Sequence, residues 1–317
     1  MMISRTFIAV WLLSFYLNGA NAKSNENEAI KIILNNWSSQ LVASHILGTI
    51  YENQGYKVEY VSYPTDGQWY ILKHNIAHIQ VEVWEGTMAE KSLMLINKKQ
   101  LLDAGNYNVF TREDWWYPDY VEEKCPGLPN WQALKHCSQL FSEKDNVTKG
   151  IYYGGPWEKP DKARVRSLKL NFQVINVNHA DQLWIKLRKA YEQKKPILLF
   201  NWTPNWVGAK YKGKFVEFPE FSPLCESDPN WGINPDYLYD CGNPKAGWLK
   251  KVASTEFPLK WPCAYTMLTK MNFNNTELEE IAALVDVTKL TPTQAANYWL
   301  DNNKHRWQSW LDNGCST

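Results

Sequence analysis

The stretch PILLFNWTPNW, residues 196–206, decides how this sequence folds. Its apolar run at residues 197–200 has the length of a buried strand, and it follows a proline that is compatible with a strand start. The run ends at Asn201, and Trp202 and Trp206 follow closely. Because open α/β folds bind ligands beyond the carboxyl ends of their strands, we expect these two indole rings at a ligand site.

Strand and helix patterns elsewhere in the chain indicate an α/β fold with a doubly wound sheet. Strands are predicted at residues 29–35, 57–63, 79–84 and 151–153, helices at 131–140 and 178–193, an extended crossover at 214–218, and an aromatic, loop-rich region at 105–131. Capping boxes predict the starts of two late helices. One box would pair Thr276 with Glu279, and the other Thr291 with Gln294.

The chain of 317 residues is long enough for two lobes around a cleft. We expect residues 23–109 and 218–317 to form lobe I, and residues 110–217 to form lobe II. Residues 1–22 have the basic start, the apolar core and the Ala-Asn-Ala end of a signal peptide. No other apolar run is long enough to span a membrane, so we predict a secreted, periplasmic protein.

Charge and cysteine content narrow the functional class. The chain has 34 Lys and Arg and 33 Asp and Glu, and removal of residues 1–22 would leave the two charges equal. A chain with no basic excess is a poor candidate for binding nucleic acid. Its 6 cysteines suit an oxidising compartment and allow up to three disulfides. We favour Cys125–Cys137, Cys225–Cys241 and Cys263–Cys315.

Tryptophan is unusually frequent, with 17 residues, and several follow predicted strands. The tryptophans at such positions are Trp37, Trp84, Trp157, Trp202 and Trp206. Most tryptophans in a protein serve packing, but rings that converge at strand ends could surround a methylated ammonium ion. Each ring contributes roughly 0.5–2 kcal/mol to binding such a cation. Glu85 or Glu82 is placed to supply a neutralising carboxylate at the rim.

Several of these segments resemble one family, the glycine betaine, proline and choline solute-binding proteins of ABC importers. Residues 200–207, FNWTPNWV, are similar to the family's W-T-P-x-W-V strand end, and residues 83–86, VWEG, occupy the place of its N-W-x-P segment. Residues 116–121, WYPDYV, and 155–157, GPW, resemble two further family segments. The resemblance implies a two-lobed type II periplasmic-binding-protein fold with the ligand cleft between the lobes.

The resemblance places the family's aromatic box on Trp84, Trp157 and Trp202, and Trp37 matches an aromatic residue of the choline-type members. Trp206 would add a further face. Two departures count against plain glycine betaine: Ser39 stands near the place of an aspartate of the choline-type members, and Glu85 replaces a proline. The Trp202/Trp206 pair and the cysteine-rich late loop resemble the branch that binds trimethylamine N-oxide. We therefore place that ligand and choline slightly ahead of glycine betaine.

The late loop between Cys225 and Cys241 carries a cluster of oxygen-bearing side chains. They are Asp228, Asn230, Asn234, Asp236 and Asp240. Oxygen ligands at close spacing suit a structural Ca²⁺ ion. The alternative, of equal weight, is a turn scaffold in which Asx side chains bind nearby backbone amides.

The sequence therefore predicts a binding protein and not an enzyme, with no cofactor required. It would act as a monomer, bind a small methylated amine (trimethylamine N-oxide, choline or glycine betaine) and deliver it to an ABC permease. One alternative is a module that binds a neutral sugar or an amino acid, but arginine, the usual partner of a carboxylate, is absent between Arg188 and Arg306. A secreted hydrolase is a weaker alternative, since no nucleophile or acid pair stands out.

Overall fold

Two five-stranded sheets with flanking helices form the framework of the computed structural model, which describes residues 28–143 and 149–311. The strands are β1 (Ile30–Leu34), β2 (Val58–Ser62), β3 (Ile79–Trp84), β4 (Leu102–Asn106), β5 (Arg112–Pro118), β6 (Gly150–Gly154), β7 (Phe172–Asn176), β8 (Leu199–Thr203), β9 (Gly213–Phe215) and β10 (Leu249–Ala253). The first six helices are α1 (Ser38–Asn53), α2 (Gln68–Lys73), α3 (Glu85–Asn97), α4 (Leu134–Cys137), α5 (Asp161–Ser167) and α6 (Ala180–Gln193). The remaining ones are α7 (Val207–Lys210), α8 (Leu224–Ser227), α9 (Phe257–Lys260), α10 (Pro262–Lys270), α11 (Asn275–Asp286), α12 (Pro292–Asn302) and α13 (Lys304–Gln308).

The first sheet has the order β2-β1-β3-β10-β4. Strand β1 is parallel to β2 and to β3, whereas β10 is antiparallel to its neighbours β3 and β4. The second sheet has the order β7-β6-β8-β5-β9. Strand β6 is parallel to β7 and to β8, whereas β5 is antiparallel to β8 and to β9. The chain thus forms two α/β lobes, as predicted. The strands of each sheet come from one of the two predicted lobes, while the lobe boundaries themselves stay a prediction.

Parallel strands need apolar side chains on both faces, because helices cover the sheet on each side. In β3 every residue from Ile79 to Trp84 is buried. Ile79, Val81 and Val83 belong to the hydrophobic core on one face, while Gln80 and Glu82 on the other face are buried with hydrogen-bond partners. Trp84 at the carboxyl end of β3 directly precedes α3. After β1, a connection of three residues ends at Trp37, which directly precedes α1.

Four local predictions were wrong or incomplete. β8 begins at Leu199 instead of Ile197, so Trp202 lies inside the strand and not in the turn after it. Residues 105–131, read as loop, contain β5, because aromatic residues favour strands even among charged neighbours. The helix at 131–140 is split into short 3₁₀ and α pieces.

The fourth concerns the capping boxes. The box at α11 pairs Asn274 with Glu277, two residues before the predicted one, because asparagine caps as well as threonine does. The box of Thr291 and Gln294 at α12 is confirmed.

Two predicted disulfides are confirmed, Cys125–Cys137 and Cys225–Cys241. The third pairing involves Cys315, which lies outside the described residues, as does the predicted signal peptide at residues 1–22. Within residues 28–143 and 149–311, no helix combines the length and the apolar character needed to cross a bilayer.

Candidate functional site: an aromatic cavity between the lobes

Four of the five predicted strand-end tryptophans meet at one cavity between the two lobes. Its walls are Trp37, Trp84, Thr87, Met88, Glu113, Trp157, Phe200 and Trp202. About 260 Å³ of empty space lies among these side chains, part of it continuous with solvent. The space enclosed by the rings is therefore small and suits a ligand of few non-hydrogen atoms.

Lobe I supplies Trp37 and Trp84, and a buried carboxylate orients both. The indole Nε1 atoms of Trp37 and Trp84 donate to the same oxygen, Glu82 Oε2, at 2.6 and 3.0 Å. The hydroxyl of Ser39 donates to this oxygen as well, at 3.1 Å. Glu82 thus lies behind the cavity wall, where it fixes two rings whose faces border the cavity.

Burial raises the pKa of Glu82 to about 7, because an ionised carboxylate loses its hydration in the interior. The three hydrogen bonds act in the opposite direction and favour the charged form. The orientation of two box residues therefore depends on a group that titrates close to neutral pH.

Lobe II supplies Trp157, Phe200 and Trp202, and these rings are positioned mainly by one another. Trp157 packs edge-to-face on Trp202 with ring centroids 5.2 Å apart, and its centroid lies 5.6 Å from that of Phe200. Trp184 of α6 supports Trp202 from behind at 5.1 Å. Such aromatic pairs favour this geometry through their ring quadrupoles.

Two contacts join the walls across the cleft. The ring of Trp157 meets that of Trp37 edge-to-face at 5.9 Å, and Trp157 Nε1 donates to Asn36 Oδ1 at 3.0 Å. The structure is therefore a closed form, in which rings from both lobes surround a common space. Closure of this kind excludes water and strengthens electrostatic contacts inside.

Among the described residues that line the cavity, Glu113 is the one acidic side chain, and no sequence pattern singled it out in advance. It lies on β5 directly opposite Trp202 of β8. Thr87 donates a short hydrogen bond to Glu113 Oε1, and Lys159 Nζ lies 3.3 Å from the same atom. Glu113 Oε2 is buried with no hydrogen-bond partner among the described residues.

The lobes can approach at Glu113 because Gly86 has no side chain. A Cβ atom at residue 86 would lie 2.7 Å from Glu113 Oε2, which is closer than real contacts allow. The signal for Glu113 was present in the sequence, since a charged residue before the aromatic run Trp115-Trp116-Tyr117 indicates a strand with buried polar positions. Its position opposite Trp202 depends on strand register, which local patterns do not specify.

Two predicted site residues lie outside the cavity walls. Glu85 Oε2 accepts from the backbone N–H of Trp248 at 2.9 Å, and Glu85 borders a wider cleft next to the cavity. Trp206 is 1% exposed and packs on Trp184 at 5.6 Å, one layer behind Trp202. Its contribution is to support the wall, because Trp184 stands between the two.

The oxygen-rich loop between Cys225 and Cys241 makes the contacts of a turn scaffold. Asp240 Oδ2 accepts from the backbone N–H groups of Ile233 and Asn234, and Asp228 Oδ1 accepts from that of Asn230. Asn234 Oδ1 likewise accepts from the N–H of Asp236. Within residues 28–143 and 149–311, no group of three or more His, Cys, Asp or Glu is placed to hold a metal ion.

The comparisons with known proteins agree with this architecture. The family model for the substrate-binding domain of ABC-type glycine betaine transport systems matches residues 28–302. The trimethylamine N-oxide-binding protein of Pelagibacter ubique (strain HTCC1062) is 33% identical over 299 residues, which cover 91% of this chain and 92% of that protein.

Solved structures show the same fold at low sequence identity. An ABC-transporter choline-binding protein in complex with choline superposes with a TM-score of 0.70 at 15% identity, covering 89% of this chain and 91% of the other. Lactococcal OpuAC in its closed form with glycine betaine gives a TM-score of 0.66 at 16% identity, covering 90% of this chain and 100% of the other.

Proposed function

Because this chain belongs to the family of substrate-binding domains of ABC-type glycine betaine transport systems, we propose that its aromatic cavity binds a small methylated ammonium osmolyte for import. Members of the family are binding proteins that capture small ligands outside the cytoplasm and work with an ABC permease; they are not a class of enzymes. The identity of the ligand and the roles of the cavity residues are the proposal.

The observation that carries the proposal is the convergence of four indole rings, from Trp37, Trp84, Trp157 and Trp202, on one cavity that also holds a carboxylate. A methylated ammonium group carries positive charge on methyl surfaces that donate no strong hydrogen bonds. Aromatic faces therefore bind such a group better than polar side chains do. Contacts of roughly 0.5–2 kcal/mol per ring, with burial of three methyl groups, can reach about −8 kcal/mol, which is micromolar affinity.

Trimethylamine N-oxide ranks first among the candidate ligands, ahead of choline and glycine betaine. The relative that is 33% identical is named as binding it. The cavity is small, which favours a ligand with little beyond the trimethylammonium head. The buried, unpartnered Glu113 Oε2 is a place for positive charge and would repel the carboxylate of glycine betaine.

The remaining parts of the proposal concern the assembly. We propose that the protein acts as a periplasmic monomer, that it needs no cofactor to bind its ligand, and that closed lobes present the ligand to the permease. Any Ca²⁺ in the loop of residues 225–241 would serve structure, since α5 and not the cavity lies against this loop. The contacts Arg164 Nε to the Cys241 carbonyl, at 2.8 Å, and Ser167 Oγ to the Tyr239 carbonyl, at 3.0 Å, join the two.

Calorimetric titration tests the proposal with trimethylamine N-oxide, choline, glycine betaine, carnitine and proline, and glucose as a neutral sugar. We expect micromolar binding of at least one methylated ammonium compound and none of glucose. Binding of glucose or proline, with no response to any methylated compound, would reject the proposed ligand class.

A further inference from the structure

Lys159 is a charged side chain next to the box that the function described so far does not use. Its side chain is only 5% exposed, and its ammonium group forms an ion pair with the equally buried Glu113 at 3.3 Å. The same nitrogen donates to the carbonyl of Gly86 in the opposite lobe at 3.1 Å. It also lies 4.8 Å from the centre of the Phe200 ring, whose side chain lines the cavity.

Together, Glu113 and Lys159 give the site no net charge. Glu113 contributes one negative charge at the cavity wall, and Lys159 places one positive charge 3.3 Å from Glu113 Oε1. A buried charge without a partner is costly, so a carboxylate that already has a lysine gains less from a further cation than a carboxylate without one. Phe200 likewise attracts a further cation less strongly, because the Lys159 ammonium group already interacts with its ring.

We propose that Lys159 is a specificity-determining residue, which makes the site prefer net-neutral dipolar methylamines, such as trimethylamine N-oxide, over net-cationic ones. This inference rests on the proposed function and narrows its ligand class. A dipolar ligand places its positive nitrogen among the rings and Glu113 Oε2 without bringing net charge into the closed cleft. A cation of the same size brings a full charge that the Glu113–Lys159 pair does not neutralise.

A nearly isosteric pair of ligands isolates this effect. Trimethylamine N-oxide and tetramethylammonium differ by one oxygen in place of one methyl group, and they differ in net charge by one unit. The measured quantity is the ratio of their dissociation constants, determined by calorimetry at fixed ionic strength. A lysine that only joined the lobes would change both constants together and leave the ratio unaltered, whereas a lysine that sets the charge changes the ratio.

Lys159→Met removes the charge and keeps an aliphatic chain. We expect the ratio to shift toward tetramethylammonium by about tenfold, the size of a nearby unit charge in a partly screened interior. Lys159→Arg keeps the charge and should keep the ratio within about threefold. Lys162→Met is the matched control, because Lys162 is exposed and borders only the wider cleft.

Glu113→Gln gives an independent test if Lys159→Met does not fold. It leaves Lys159 without its carboxylate, so the preference for trimethylamine N-oxide over tetramethylammonium should increase. An unchanged ratio in folded Lys159→Met, or in Glu113→Gln, would overturn the role of Lys159 while the box remains. Failure of the unaltered protein to bind these two ligands or any other methylated ammonium compound would instead reject the proposed function.

Discussion

The two walls of the aromatic cavity are built from the same residue type but are held in place by different physics. In lobe I, Trp37 and Trp84 are oriented by hydrogen bonds to one buried carboxylate, Glu82. In lobe II, Trp157 and Trp202 are oriented by ring packing. The lobe I wall therefore depends on the direction of two hydrogen bonds and on the protonation of Glu82. The lobe II wall depends on how well its rings fit together and on the area that they bury.

This difference teaches that an indole can be fixed through its N–H group or through its ring edges, with different consequences. A hydrogen-bonded ring leaves both faces free but requires a buried acceptor, which is costly to ionise. A packed ring needs no buried charge, but its neighbours must all be present. Four tests separate these cases, and they are taken from the largest expected effect to the smallest.

Trp202→Leu should weaken binding of trimethylamine N-oxide by about 100-fold, because it removes one aromatic face and the ring that supports Trp157. Calorimetric titration measures the change, with circular dichroism to verify folding. Trp231→Leu, in the late loop away from the cavity, is the matched control. Equal binding by the Trp202 variant would show that the lobe II wall does not contact the ligand.

Glu82→Gln should change how stability depends on pH. The folded pKa of Glu82, about 7, lies above its value in the unfolded chain, so the carboxyl group costs no stability at low pH. The wild-type protein then loses stability relative to the variant as the pH rises from the ordinary carboxyl pKa of 4.5 to the folded pKa of about 7, by on the order of 3 kcal/mol, and the loss levels off above that pH. Urea unfolding at pH 4.5, 6 and 8 measures the difference.

The exposed Glu220→Gln serves as the control for this series. A constant difference in unfolding free energy between wild type and Glu82→Gln over the whole pH range would contradict the raised pKa. It would also remove the main physical distinction between the two walls.

Replacing one tryptophan of each wall by phenylalanine allows a direct comparison of what holds the two walls in place. Trp84→Phe keeps a ring but loses the N–H donor to Glu82, whereas Trp202→Phe keeps the contacts through the ring face. Loss of a hydrogen bond to a buried acceptor costs roughly 1–3 kcal/mol. We therefore expect Trp84→Phe to be the less stable variant by about 1 kcal/mol in chemical denaturation. The reverse order would mean that packing holds both walls.

Asn36→Ala removes the acceptor for Trp157 Nε1 across the cleft. Because a hydrogen bond of this kind contributes about 1 kcal/mol, binding should weaken about threefold to tenfold, with the loss mainly in a faster dissociation rate. Stopped-flow measurement of tryptophan fluorescence gives both rates. A change confined to the association rate would argue against a contact that forms on closure.

Much of the fold was readable from the sequence, because strands β1 to β3 and helix α6 have clear periodicity and end signals. The meeting of Trp37, Trp84, Trp157 and Trp202 was predicted from their position after strands. Glu113 and Lys159 were not, because each acquires its role from the opposite strand or lobe. Strand β5 was hidden by its charged residues, and the neutralising carboxylate was assigned to Glu85 or Glu82 because both lie next to Trp84 in the chain.

The central claim is that four indole rings recognise positive charge on a methylated nitrogen, and one isosteric comparison tests it most directly. Trimethylamine N-oxide and tert-butanol have nearly the same shape, but only the former carries a cationic nitrogen. Calorimetric titration of the unaltered protein should give micromolar binding of trimethylamine N-oxide and at least about 100-fold weaker binding of tert-butanol. Equal affinities for the two compounds would contradict the claim, since the cavity would then recognise methyl groups and not charge.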